Sequence, residues 1–164
     1  MAEHPLETWH RMVRAHDPSG LIDLLAEDAV FYSPVVHTPQ QGRRLASWYL
    51  TAAFHVFFNP TFRYVREIVG DSDAMLEFET EIDEVLVNGV DLIKWNESGQ
   101  IVEFKVMLRP LKAINLIHQR MAAMAFEPCP PHGRPQLRET IALEKRQDVL
   151  IEAQHRRLGR LAGR

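Results

Sequence analysis

The stretch GVDLIKWNESGQIVEFKVMLRPL, residues 89–111, reads as two strands and a turn. Residues 89–96 and 101–109 are rich in apolar residues, and NESG joins them, with Gly99 supplying the backbone freedom a reversal needs. In the first strand Asp91, Ile93 and Trp95 share one face, while Val90, Leu92 and Lys94 share the other. Asp91 is therefore an acid in an oily row. Three readings are open for it: ligand contact, a structural hydrogen bond, or simple exposure at an edge. If its face lines the space beneath covering helices, burial favours the protonated carboxyl, which can donate to a carbonyl or a developing oxyanion. Its charged form can instead remove a proton.

Working outward, Pro110 precedes a helical pattern over about 111–126, with Leu111, Ile114, Leu116, Ile117 and Met121 among its packing residues. Upstream, AMLEFETEI sets Leu76, Phe78, Thr80 and Ile82 opposite Glu77, Glu79 and Glu81, the alternation of a half-buried strand whose acidic row faces water. FRYVREIV, residues 62–69, also alternates, and GDSD is the turn between the two. Residues 41–57 place Leu45, Trp48, Tyr49, Ala52 and Val56 at spacings of three and four, a helix ended by Asn59 and Pro60. Residues 5–16 make another, opening at Pro5 and repeating Leu6, Trp9, Met12, Val13 and His16. A short helix over 19–26, with Ser19 as its cap, and a strand at AVFYS, residues 29–33, complete the series.

These elements predict an α+β fold: a curved antiparallel sheet packed against three amino-terminal helices, with a further helix near residue 111. Val102, Phe104, Val106 and Leu108 share one strand face, yet Ile101 and Met107 lie on the other beside Glu103 and Lys105. Both faces carry apolar groups, which predicts helices over a pocket on one side and a homodimer through the sheet on the other. The domain is expected to span residues 1–126. EPCPPHGRP then breaks the pattern, and residues 127–164 read as a proline-containing linker followed by a basic extension with a helical pattern over 138–161.

The chain has 164 residues, 46% of them hydrophobic, enough for one domain with a substantial core. A formal charge of −3 gives no concentrated basic face, so no nucleic-acid partner is expected. The charge is uneven, with 11 Lys/Arg against 17 Asp/Glu in residues 1–126 and 8 against 5 in residues 127–164. Cys129 is the lone cysteine, which excludes an internal disulfide framework and a cysteine metal cluster. No export signal opens the chain and no run is long enough to cross a membrane, so a soluble, cytoplasmic protein is expected.

His37, after SPVV, and His55, in the third helix, can move a proton near neutral pH or simply sit in a loop and on a helix surface. Trp9, Tyr32, Trp48, Tyr49 and Trp95 offer aromatic area to line an apolar pocket, or are plain core. Ser33 lacks the glycine-flanked turn of a serine nucleophile, and Cys129 with His132 lies among prolines that give no catalytic geometry. With no H-E-x-x-H and no glycine-rich phosphate loop, neither a metal nor a cofactor is expected.

LLAEDAVFYSPVV, residues 24–36, and GVDLIKWNESGQIVEFKVMLRPLKAI, residues 89–114, resemble the nuclear transport factor 2-like superfamily, in its SnoaL-like and ketosteroid-isomerase-like branches. The resemblance covers residues 5–126. It implies a cone built from a curved sheet and three helices, an apolar cavity, and dimerisation through the sheet. It also implies that Asp91 matches the isomerase acid that donates to the substrate oxygen. The helix-one tyrosine of that pattern falls at Trp9 and its general-base aspartate at Ser33, and neither residue can do the same chemistry, so steroid isomerisation is not expected. The Asp-Arg-Asp set of the epoxide hydrolases is not assembled by Arg63, Arg66 or Arg109. The leading expectation is binding of a small apolar molecule in the cavity, with Trp9, Tyr32, Ser33, Trp48, Ile93 and Trp95 around it. Whether the chain is an enzyme stays open. The alternatives are a cofactor-independent isomerase, cyclase or dehydratase using Asp91 with His37 or His55, and a noncatalytic dimeric scaffold.

Overall fold

The structure, a computed structural model, describes residues 4–124, all within the first of the chain's two units, Met1–Glu127. The expected linker, the helical pattern over 138–161, Cys129 and His132 lie outside the described residues.

Helix α1, Pro5–Ala15, starts where the sequence predicts. Pro5 fits the first turn, where its missing N–H is no loss, and His4 caps the helix by accepting from the Leu6 N–H at 3.3 Å. His16 closes it in a left-handed conformation, φ 52°, its N–H reaching the Met12 and Val13 carbonyls. Leu6, Trp9, Met12 and Val13 form its buried face. The next helix, α2, is only Leu21–Leu24, because the chain is already extended at Leu25. Strand β1 runs Leu25–Tyr32, and a two-residue strand, β2, Gln40–Gln41, precedes helix α3, Arg43–Phe57.

Four strands joined in sequence then form a meander: β3, Arg63–Val69; β4, Asp73–Ile82; β5, Val85–Trp95; and β6, Ile101–Arg109. Strand β5 begins four residues before the expected strand, since β4 turns into it through Asp83 and Glu84, both at positive φ. That two-residue reversal needs left-handed backbone at both positions. Neither residue is glycine, so the turn has no glycine signal in the sequence. Helix α4, Leu111–Met124, follows a cis peptide at Arg109–Pro110. It buries Ala113 and Ile117, while Leu111, expected to pack, is 70% exposed.

The strand order β2-β1-β6-β5-β4-β3 corrects the expected antiparallel cone. Strand β1 lies parallel to β6, with Phe31 opposite Phe104, so the sheet is mixed. It is also open, with β2 and β3 as separate edges. The physical reason is connectivity. A meander leaves the outer edge of its last strand unpaired, and β1 fills that edge after a long crossover of the kind parallel pairing requires. Side-chain periodicity reports which face a residue occupies, but not which strand lies beside it.

Registers align the buried face of the sheet. Leu76, Asp91 and Val106 form one row across β4, β5 and β6, and Phe78, Gly89 and Leu108 form the next. A Cβ at Gly89 would overlap the Phe78 ring and come within 2.7 Å of Leu108 Cδ2, so glycine is what lets Phe78 lie flat across β5. Trp9 of α1 meets Phe104 of β6 and Phe54 of α3, with ring centroids 4.8 and 5.4 Å apart. Phe57 of α3 meets Phe78 at 5.7 Å. Helices and sheet thus enclose an aromatic core with Asp91 on its floor.

Candidate functional site

Asp91 lies within the alternating buried positions of β5, between Val87 and Gly89 on one side and Ile93 and Trp95 on the other. It is 4% exposed. Its direct neighbours in the sheet are Leu76 and Val106, which offer its carboxyl no hydrogen bond. The polar partner comes from farther away: Tyr64 of β3 donates its hydroxyl proton to Asp91 Oδ2 at 3.1 Å. Trp9 Nε1 in turn donates to the Tyr64 hydroxyl at 2.8 Å. The direction of this chain is fixed, because an indole N–H can only donate and the phenol has one proton to give.

Burial pushes the Asp91 carboxyl up to about 7, the charged form being the one that loses water, while the Tyr64 hydrogen bond draws it part of the way back. Tyr64 is itself raised well above an ordinary phenol, first by burial of its hydroxyl and then by the nearby Asp91. At neutral pH Tyr64 is thus a fixed donor and Asp91 is poised between acid and base. Asp91 Oδ1 has no hydrogen bond among the described residues.

Beside this carboxyl is a cavity of about 20 Å³, room for roughly one water. Trp9 and, from α3, Leu50, Ala53, Phe54 and Phe57 line its helix side. Phe78, Asp91, Phe104 and Val106 form its sheet side, and Phe58 and Phe62 of the α3–β3 connection complete it. The rings meet edge to face, Phe54 with Phe58 and Phe58 with Phe62 at 4.4 Å each, which suits the quadrupoles of aromatic rings. Asp91 is the one ionisable side chain in the lining.

A SnoaL-like domain model matches residues 6–104. The chain belongs to the SnoaL-like family. Among solved structures, a steroid delta-isomerase from Pseudomonas aeruginosa is 34% identical, covers 73% of this chain and 88% of that one, and superposes with a TM-score of 0.70. An uncharacterised protein with a cystatin-like fold from Silicibacter pomeroyi is 35% identical over 73% and 86% of the two chains, TM-score 0.66. An NTF2-like protein of unknown function from Mesorhizobium loti, 22% identical over 65% and 88%, TM-score 0.57, shares the fold. No curated protein matches.

Of the nine site candidates read from the sequence, this SnoaL-like domain brings two to the cavity, Asp91 and Trp9. Ile93 shares the Asp91 face but is buried between Ala74 and Phe104, and Trp95 packs its ring against His4 at 5.0 Å. Tyr32 lies under Lys105 Nζ, 4.6 Å from the ring centre. Ser33 Oγ accepts from the Val35 N–H at 3.2 Å, a turn contact. Trp48 is half-buried against Tyr49, and His37 and His55 are exposed. Among the described residues, no cluster of three His, Cys, Asp or Glu can hold a metal, and no helix is long and apolar enough to cross a membrane.

Sequence reasoning missed the nine lining residues other than Trp9 and Asp91, and it missed Tyr64. The alternation of Tyr64 with Phe62, just before β3, was a usable hint of an inward face. The partners of Tyr64, however, are 55 residues upstream and 27 downstream, and no local pattern joins them.

Proposed function

We propose that this domain binds a small, largely apolar molecule that presents one polar atom to Asp91. The observation that carries the reading is the hydrogen-bond chain Trp9 to Tyr64 to Asp91. It commits the protons of Trp9 and Tyr64 and leaves Asp91 Oδ1 as the group for a ligand. Protonated, Asp91 donates to a carbonyl; ionised, it accepts from a hydroxyl.

The matched pair 1-tetralone and tetralin, which share a carbon skeleton and differ by one carbonyl, provides the test by titration calorimetry. Tetralone should bind roughly five- to thirtyfold more tightly, and Asp91→Leu should remove the difference, since a buried hydrogen bond to a polar group is worth about 1 to 2 kcal/mol. Equal affinities for the two probes in the wild-type protein would sink the role given to Asp91.

A second reading, cofactor-independent catalysis, is favoured by the Asp91 carboxyl standing near neutrality and by the 34% identity to a protein named a steroid delta-isomerase. With one ionisable group in the lining, Asp91 would have to serve as both acid and base. The reading also includes a homodimer through the outer sheet face, where Ile68, Leu86 and Met107 are 57, 60 and 58% exposed.

A further inference from the structure

Of the eleven residues lining the cavity, nine are buried and two, Phe58 and Phe62, are half-buried. Solvent therefore approaches the cavity past these two rings. They flank Asn59, Pro60 and Thr61, and the backbone between them is held at several points. His16 Nδ1 bonds the Phe58 carbonyl at 2.8 Å, Asn59 Nδ2 donates to the Glu81 carbonyl at 3.0 Å, and the Glu81 N–H donates to Thr61 Oγ1 at 2.8 Å. The Thr61 N–H bonds Asn59 Oδ1 at 2.8 Å, which folds the segment on itself. A backbone held in this way does not lift away, so the space a ligand can gain is the space of two phenyl rings turning about their own side-chain bonds.

The cavity holds about one water, whereas an apolar cavity of about 150 Å³ is the size that takes a benzene, and drug-sized ligands occupy roughly 300 to 1,000 Å³. The other walls give little. They are buried side chains of the core, and moving them would open voids elsewhere.

Resting on the ligand-binding reading above, we infer that Phe58 and Phe62 set the ligand class: a flat, uncharged molecule of one or two six-membered rings with one carbonyl or hydroxyl, occupying the place the two rings vacate. A charged group would lose its hydration against these walls, and a four-ring skeleton would exceed the space. The inference separates this chain from the substrate class in the name of its 34% identical relative.

Three ketones of increasing size test it by calorimetry on the full chain: cyclohex-2-enone, 1-tetralone and 4-androstene-3,17-dione. Wild-type protein should bind tetralone at least tenfold more tightly than androstenedione, despite the larger apolar area of the latter. Phe58→Ala and Phe62→Ala should each raise androstenedione affinity at least tenfold. Thermal unfolding confirms that the variants fold, and if they do not, the wild-type ranking alone decides. Androstenedione binding the wild type as tightly as tetralone would overturn the size limit while leaving the binding reading intact. Failure of all three ketones to bind either wild type or folded variants would overturn both.

Discussion

Asp91 stands directly between Leu76 and Val106, and this apolar setting makes its proton part of the fold's stability. An ordinary aspartate loses its proton near 3.8, while Asp91 in the folded chain keeps it to about 7. Below the lower value both states are protonated and the contribution is complete. Between the two, the unfolded chain ionises and the native chain does not, so the native state binds more protons and stability falls as pH rises, levelling off above about 7. The difference of roughly three pKa units corresponds to something on the order of 4 kcal/mol. Asp91→Asn cannot ionise, so its urea-unfolding free energy, measured at steps across this window, should lack the decline that the wild type shows. Parallel curves for the two proteins would mean that Asp91 is charged in the folded state at neutral pH.

At the scale of elements, the packing of β4 across β5 depends on Gly89. Alanine there would drive its methyl group into Phe78, a buried ring packed against Phe57 and Phe62. Overpacking of this kind costs about 1 to 3 kcal/mol, and because Phe78 also lines the cavity, Gly89→Ala should weaken tetralone binding together with stability. Unchanged unfolding and unchanged binding would show that Phe78 can yield. The same elements show how far the sequence could be read. Helix α1 was legible from Pro5 and the spacing of Leu6, Trp9 and Met12, and the β5–β6 hairpin from NESG, because each signal is local. The face that Asp91 shares with Ile93 and Trp95 was legible as well, since alternation along one strand reports it, whereas which way that face points stayed open. The turn at Asp83 and Glu84 was not, as its left-handed backbone is adopted without glycine. Nor was the Tyr64 contact, which exists only once β3, β4 and β5 are in register.

At the scale of the molecule, the outer face of the sheet exposes Ile68, Leu86 and Met107 among the described residues. Met107 pairs with Val90 at its centre, and ion pairs of Arg63 with Glu79 and Arg66 with Glu77 stand toward the β3 side. If two copies meet there, Met107→Glu places like charges across a self-complementary contact and should convert a dimer into a monomer in sedimentation, with the unfolding of each protomer little changed. A monomeric wild type at micromolar concentration would remove the dimer from the proposal.

The parallel seam between β1 and β6 also bears on how the chain is made. Leu25 finds its strand partner at Ile101, 76 positions later. At synthesis rates of about 5 to 20 residues per second, the first strand leaves the ribosome roughly 4 to 15 s before its neighbour exists. During that interval its edge is open to other chains, and the charged pair Glu27 and Asp28 in its middle is the kind of feature that keeps such an edge from self-association.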